Sequence, residues 1–194
     1  MLTRPARNVC LYGPPCVGKG FATSKIHEQF PTIPMIGTGK CFRQRRKEDP
    51  KFEEVYGEMM DKGILLPGLI VFAHVRKLIE KLGDEPLVVL DGAIRSVQQV
   101  RLFGGSKLLG KNDVVCHIYA SYHTCYVRHT HRRKCQVESR NDDTAFRERY
   151  EIYRNSRLNV VSEARAIGVQ IVEIDGDAPL EEIADSVIAQ TIQK

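Results

Sequence analysis

The stretch GPPCVGKGF at residues 13–21 has the residue types and spacing of a loop that binds phosphate. Glycines let successive backbone N–H groups turn toward an anion, and the N-terminus of a following helix adds a positive dipole. Gly13, Gly18 and Lys19 match the pattern G-x-x-x-x-G-K, in which the lysine reaches the outer phosphates of a nucleotide. Gly20 stands where that pattern usually has Ser or Thr, which leaves open an ordinary turn with a surface lysine.

The elements predicted around this loop favour phosphate binding. An apolar run at 8–12 predicts a buried strand directly before the glycines, and residues 19–30 have helical spacing. Further predicted strands are 86–92, 113–120 and 169–176, and they alternate with predicted helices at 67–83, 96–103, 122–132, 143–168 and 179–194. Residues 38–61 predict two short helices outside the main core. The alternation predicts a three-layer α/β/α fold, in which helices cover both faces of a parallel sheet.

Ligands of such folds bind beyond the carboxyl ends of the strands. Gly13, Asp91, Tyr119 and Asp175 all fall near those ends. A carboxylate at a strand end beside a phosphate loop is what Mg·ATP requires, so Asp91 is the candidate metal residue. A helix cap is the alternative role for Asp91.

Composition predicts one soluble domain, since 42% of the 194 residues are hydrophobic and 27% are charged. The longest apolar stretch, 64–73, is short for a membrane span and contains Pro67 and Gly68. The N-terminus has no apolar signal-peptide core. We therefore expect a cytoplasmic monomer without a membrane partner.

The net charge of +5 is concentrated in two basic runs, RQRRK at 43–47 and RHTHRRK at 128–134. Such runs bind nucleic acid or free phosphates, or they are solvated helix faces. No aromatic residues interleave with the arginines, which disfavours single-stranded nucleic acid. His and Cys crowd residues 116–135, but their spacings match no metal-ligand pattern, and no C-x-x-C pair indicates a zinc site or a disulfide framework.

The loop resembles that of the adenylate kinases and related nucleoside monophosphate (NMP) kinases, which is written G-x-P-G-x-G-K-G-[ST]. Gly after the lysine is normal in that family. Cys16 departs from it by replacing a Gly, and Phe21 departs by replacing a hydroxyl residue that touches an ATP phosphate. The resemblance implies an ATP site formed by Gly13, Pro15, Cys16, Val17, Gly18, Lys19, Gly20 and Phe21.

The resemblance continues in order along almost the whole chain. MIGTGKCFR at 35–43 is similar to the family segment ISTGDMLR, MDKGILLPGLIV at 60–71 to M-x-x-G-x-L-V-P, and LDGAIRSVQQV at 90–100 to LDGFPRTxxQA. Three residues depart from the family here: Lys40 replaces Asp, and Ala93 and Ile94 replace Phe-Pro, which predicts a more mobile or differently shaped loop.

These segments imply the acceptor site. By resemblance, Thr38 lies beside the acceptor base, Arg43 and Arg95 hold its phosphate, Gln99 reads the adenine edge, the backbone around Ile64 and Leu66 meets ribose and base, and Asp91 orients the Mg²⁺ hydration shell. The residue types suit these roles, because arginines offer forked donors to phosphate and a glutamine amide can pair with a base edge. A solvated helix residue is the alternative for Gln99, and a member of a surface run is the alternative for Arg43.

A short lid is implied by the C-terminal half. Arg128 and Arg132 are four residues apart, on one helix face, and match lid arginines of which one covers the adenine and the other reaches phosphate. SRNDDTAFRERYEIY at 139–153 is similar to GRxDDNxxxxxxRxxxY. The resemblance implies that Arg140 and Arg149 close on the transferring group, with Arg147 a competitor because the spacing departs here, and that Gly176 borders the adenine.

The sequence therefore predicts a single P-loop kinase domain over 1–194, with an NMP-binding insert at about 38–67 and a lid at about 132–143. The expected reaction transfers the ATP γ-phosphoryl group to an NMP, and Thr38 and Gln99 favour AMP. The expected catalytic residues are Lys19, Arg95, Arg128, Arg132, Arg140 and Arg149. Another NMP such as UMP or CMP, a non-catalytic nucleotide-binding protein and an RNA-associated ATPase are the alternatives.

Overall fold

Five parallel strands form a single sheet at the centre of the computed structural model, which describes residues 7–135 and 142–193. The strands are β1 (Arg7–Tyr12), β2 (Met35–Gly37), β3 (Leu87–Asp91), β4 (Val114–Tyr119) and β5 (Gln170–Asp175). Their order across the sheet is β2-β3-β1-β4-β5. Because β1 is the central strand, the glycine loop that follows it leaves the middle of the carboxyl edge.

Helices connect the strands and cover the sheet. They are α1 (Lys19–Gln29), α2 (Thr38–Glu48), α3 (Pro50–Asp61), α4 (Gly68–Leu82), α5 (Val97–Gly105), α6 (Tyr122–Cys135), α7 (Asp143–Ala166) and α8 (Leu180–Val187), with a final π-helical turn at Ile188–Ile192. Side chains of Asp49, Ser96 and Asp142 cap the N-termini of α3, α5 and α7, respectively, by accepting backbone N–H groups.

The core has two parts, one on each face of the sheet. Successive side chains of a strand point to opposite faces, so Cys10 packs with α4, α5 and α7, whereas Leu11 packs with α1 and α8. Every strand residue from Val9 to Leu11 is fully buried, as expected for a parallel sheet that is covered on both sides. The predicted three-layer α/β/α fold is confirmed.

Two differences from the predicted elements affect the site. Strand β2 was not predicted, because three residues between Pro34 and α2 carry no recognisable period. Helix α6 continues to Cys135, three residues beyond the predicted end, through the basic run. Within the described ranges, no helix combines the length and the apolar character needed to cross a membrane.

Candidate functional site

A cavity of about 790 Å³ opens at the carboxyl edge of the sheet, above β1 and β3. Its wall includes nearly all the residues that the sequence predicts for nucleotide binding: Gly13, Pro15, Cys16, Val17, Gly18, Lys19, Gly20, Phe21, Thr38, Arg43, Ile64, Leu66, Asp91, Arg95, Gln99, Arg128, Arg132 and Arg149. Gly176 is not part of this wall, and Arg140 lies outside the described residues. One cavity thus collects side chains from segments that are far apart in the sequence.

The phosphate loop depends on three residues with positive φ. Gly13 has φ +154°, and a Cβ at this position would overlap the carbonyl oxygen of Ile118 on β4. Gly18 has φ +116° and precedes α1. Cys16 adopts φ +60°, which a side chain disfavours, so the family's Gly at this position is explained by backbone conformation.

Lys19 lies in the first turn of α1 and folds back onto the loop. Its ammonium group donates to the carbonyl oxygens of Gly13 at 2.9 Å and Pro14 at 2.7 Å. Burial lowers the pKa of Lys19 to about 8, although the nearby Asp91 carboxylate acts in the opposite direction. Lys19 is therefore charged at neutral pH, and an anionic ligand beside its ammonium group would stabilise that charge.

Phe21 lines the cavity and packs partly against the apolar cluster on the α1 face. The two nearby hydroxyl residues, Thr23 and Ser24, also line the cavity. Each of their hydroxyls donates to the carbonyl oxygen of Gly20, at 2.9 Å and 3.0 Å. In this structure neither hydroxyl takes the place of the one that Phe21 removes.

The end of β3 is tied to the insert and to α5. Thr38 is buried, and its hydroxyl contacts the carbonyl oxygens of Asp91 at 3.2 Å and Gly92 at 2.9 Å. The Arg95 N–H donates to the side-chain oxygen of Gln99 at 2.6 Å, so the Gln99 amide nitrogen keeps its donors for a ligand. Burial lowers the pKa of the Arg95 guanidinium, and the Asp91 carboxylate opposes this effect.

Ala93 and Ile94, which replace the family's Phe-Pro, are fully buried. Both belong to the core cluster on the α4–α5 face. Apolar packing therefore anchors the altered loop. This burial does not support the expectation that the loop is more mobile.

Arg128 joins two backbone segments that meet beside the phosphate loop. Its guanidinium donates to the carbonyl oxygens of Val17 at 3.1 Å, Gly176 at 2.7 Å and Ala178 at 2.6 Å. A Cβ on Gly176 would lie 2.5 Å from a methyl carbon of Val17, so glycine allows the 176–178 segment to contact the phosphate loop. Gly176 thus lies directly behind the loop, although it does not line the cavity.

Arg132 and Arg149 reach the cavity from the two helices that flank the 136–141 segment. An Arg132 nitrogen lies 3.6 Å from the Cys16 sulfur, and the Arg149 Nε donates to the Ala145 carbonyl oxygen at 3.0 Å. Arg147, the competitor suggested by spacing, is exposed and does not line the cavity.

Several side chains of the two basic runs form ion pairs within the fold. Arg46 bonds Glu53 and, at 2.8 Å, Asp61, which braces α2 against both ends of α3. Asp143 at the start of α7 accepts from Arg133 at 2.7 Å and contacts the buried His129 at 2.9 Å. In the described ranges, no group of three His, Cys, Asp or Glu side chains could hold a metal ion.

Sequence reasoning missed part of the wall, including Tyr12, Met60, Ile152, Tyr153 and Leu180. Tyr153 lies one helical turn after Arg149 and follows from that spacing. Met60 and Leu180 carry no signal of their own, because an apolar residue at helical spacing is usually core.

A glycine loop between the central strand of a parallel sheet and a helix, with an acid at the neighbouring strand end, defines a P-loop nucleotide-binding protein. A family model described as an AAA domain matches residues 12–146. The chain is similar to adenylate kinases of Archaeoglobus fulgidus (25% identity; 90% of this chain and 93% of the relative), Leifsonia xyli (29%; 90% and 87%) and Kosmotoga olearia (27%; 93% and 96%). The chain belongs to the AAA-domain P-loop proteins and, among them, to the adenylate kinase and nucleoside monophosphate kinase family.

Proposed function

We propose that this protein is a phosphotransferase that converts ATP and AMP into two ADP. The observation that carries the proposal is a cavity whose wall includes two lysines, one carboxylate and six arginines, with the arginines coming from four segments of the chain. The relatives named adenylate kinase cover about nine-tenths of the chain, which supports the same reaction. A phosphoryl-transfer enzyme needs this arrangement, because its catalysis is positioning and charge neutralisation without a covalent protein intermediate.

On the donor side, the loop amides and Lys19 would hold the ATP phosphates. Arg132 would reach the transferring group, and Arg128 with Gly176 would border the adenine. Arg149, and Arg140 from outside the described residues, would complete the cationic cover. Such donors offset the charge that develops in the transition state more effectively when water is excluded.

On the acceptor side, Arg43 and Arg95 would hold the AMP phosphate. Gln99 supports a purine with an acceptor on its Watson–Crick edge, because its amide donors are the groups left for a ligand. Thr38 would border the base, and the backbone at Ile64 and Leu66 would meet ribose and base. UMP, CMP or another NMP is the nearest alternative acceptor, since Lys40 replaces the family's Asp.

The site suits Mg²⁺ that arrives with the nucleotide. Mg²⁺ usually takes one or two carboxylates together with phosphate oxygens and water, and Asp91 supplies one carboxylate on the cavity wall. Asp91 would hold the ion through water, and the bound ion would supply positive charge that offsets the charge of the ATP phosphates. Lys19 and the arginines orient the remaining phosphate oxygens.

The insert at about 38–67 and the lid at about 132–143 would close over the bound nucleotides and exclude water. We expect the reaction to occur in the cytoplasm and the enzyme to act as a monomer.

A screen of acceptors tests the proposal. Purified protein with Mg·ATP is incubated with AMP, CMP, UMP, GMP or dNMPs, and NDP formation is measured. We expect ADP formation to require both ATP and AMP, and Lys19→Met to abolish it. Lys25 is half-buried on the same helix but does not line the cavity, so Lys25→Met provides the matched control.

The same screen separates the alternative that Phe21 motivates, a non-catalytic nucleotide-binding protein. ATP binding by calorimetry without NDP from any acceptor would refute the kinase proposal and favour that alternative. ATP hydrolysis stimulated by RNA would instead favour an RNA-associated ATPase.

A further inference from the structure

A buried polar cluster lies directly beneath the cavity. Its centre is His117 on β4, which is 5% exposed and does not line the cavity. The His117 Nε2 is 2.9 Å from the hydroxyl oxygen of Tyr153 on α7, and its Nδ1 is 3.3 Å from a carboxylate oxygen of Glu173 on β5. Tyr12, the last residue of β1, stacks on the His117 ring at 5.3 Å between centroids.

The hydrogen-bond partners determine the tautomer of His117. Glu173 as a carboxylate can only accept, so Nδ1 must carry a proton. Burial lowers the pKa of His117 although Glu173 opposes this, so the ring is neutral at pH 7 and Nε2 has a free lone pair. The Tyr153 hydroxyl must then donate to Nε2, which gives this buried phenol a defined orientation.

The cluster connects two parts of the proposed active site, the Arg149 turn of α7 and the base of the phosphate loop. Tyr153 is one helical turn after Arg149, and both residues line the cavity. Tyr12 directly precedes Gly13, whose carbonyl oxygen accepts from Lys19, and its ring lies 5.6 Å from that of Tyr153. A displacement of Tyr153 would therefore disturb both the arginine on α7 and the base of the phosphate loop.

We propose that His117 is a positioning residue for phosphoryl transfer, which acts through Tyr153 to hold the Arg149 turn of α7 against the base of the phosphate loop. The inference rests on the kinase activity proposed above. His117 does not touch the nucleotides, so its loss should lower kcat and leave KM for ATP and AMP nearly unchanged.

The arrangement predicts a dependence on pH. When the pH falls below the pKa of His117, Nε2 also gains a proton and faces the Tyr153 hydroxyl as a donor. Tyr153 must then turn its own proton away, and the defined orientation is lost. The other charged or titratable groups around the ring are Tyr12 on β1, Tyr119 on β4, Glu173 on β5, and Arg157 and Arg165 on α7.

The test compares His117→Phe, Tyr153→Phe, the double variant and His117→Gln, with Tyr119→Phe as the control. Tyr119 also approaches the His117 ring, at 6.1 Å, but it is exposed and does not line the cavity. We expect each single Phe variant to lower kcat about tenfold with KM changed less than about twofold, because small displacements of reacting groups have large effects on rate. The double variant should be no slower than either single variant.

His117→Gln distinguishes a positioning role of His117 from a purely structural role. The glutamine amide keeps a donor and an acceptor but cannot ionise. At neutral pH, His117→Gln should therefore recover most of the kcat that His117→Phe loses. The fall of kcat below about pH 6.5 should be smaller in His117→Gln than in the wild type. AMP and ATP titrate equally in all variants, so the difference between profiles reports on His117. Nitrogen chemical shifts of the imidazole should show protonated Nδ1 at pH 7, independently of activity.

Three results would overturn the inference in an active enzyme: full kcat in His117→Phe, additive losses in the double variant, or an unchanged pH profile in His117→Gln. A lower melting temperature with unchanged kcat would assign the cluster a structural role only. A wild-type protein that forms no NDP would refute the proposed function itself, which is a different outcome.

Discussion

Raising the pH should weaken ATP binding, because Lys19 loses its positive charge. The pKa of Lys19 is lowered to about 8 by burial, whereas an ordinary lysine titrates near 10.4. With that pKa, about nine-tenths of the free enzyme carries the charged lysine at pH 7 and about one-tenth at pH 9. Since a neutral amine cannot attract phosphate, kcat/KM for ATP should fall about tenfold between pH 7 and pH 9.

The assay measures ADP formation at saturating AMP and limiting Mg·ATP across this range. Bound phosphates favour the charged lysine, so the pKa should rise in the complex and the alkaline fall of kcat should come at a higher pH than that of kcat/KM. Lys19→Arg is the control, because a guanidinium stays charged; this variant should be slower, but its kcat/KM should change little with pH. The reasoning is refuted if kcat/KM of the wild type falls no more than that of Lys19→Arg.

Two substitutions test the backbone of the loop. Cys16→Gly should raise the free energy of urea unfolding by about 0.5–1 kcal/mol, because φ +60° costs a side chain about 1–2 kcal/mol and glycine loses part of that gain through its greater freedom when unfolded; unchanged or lower stability would contradict this. Gly176→Ala should raise KM for ATP and lower stability by about 1–3 kcal/mol, since its Cβ would lie 2.5 Å from Val17 and 2.7 Å from the Tyr119 carbonyl oxygen. Gly105→Ala, at a helical position with nothing within 4 Å, should not destabilise the protein, and an equal loss there would point to a general effect of the substitution.

The sequence predicts the fold well wherever its signal is local. Four of the five strands coincide closely with strands predicted from their own residues, and the glycine loop follows one of them directly. Strand β2 escapes prediction because Met35–Gly37 becomes a strand only by pairing with β3, which is a tertiary effect.

The site residues also divide into those with a local sequence signal and those that depend on tertiary contacts. Lys19 and Asp91 are recognisable from neighbouring residues, and both line the cavity. His117 is not, because its contact with Tyr153 joins residues that are 36 positions apart. The burial of Ile94 was also hidden, since a changed loop motif does not reveal what its side chains pack against.

Arg128 has a consequence for the thermodynamics of nucleotide binding. An arginine side chain carries roughly 2 kcal/mol of rotamer entropy, and three carbonyl oxygens already hold this one in a single orientation. That entropy is lost when the protein folds and is therefore not lost again when a nucleotide arrives. ATP binding should consequently carry little entropic penalty from the Arg128 side chain.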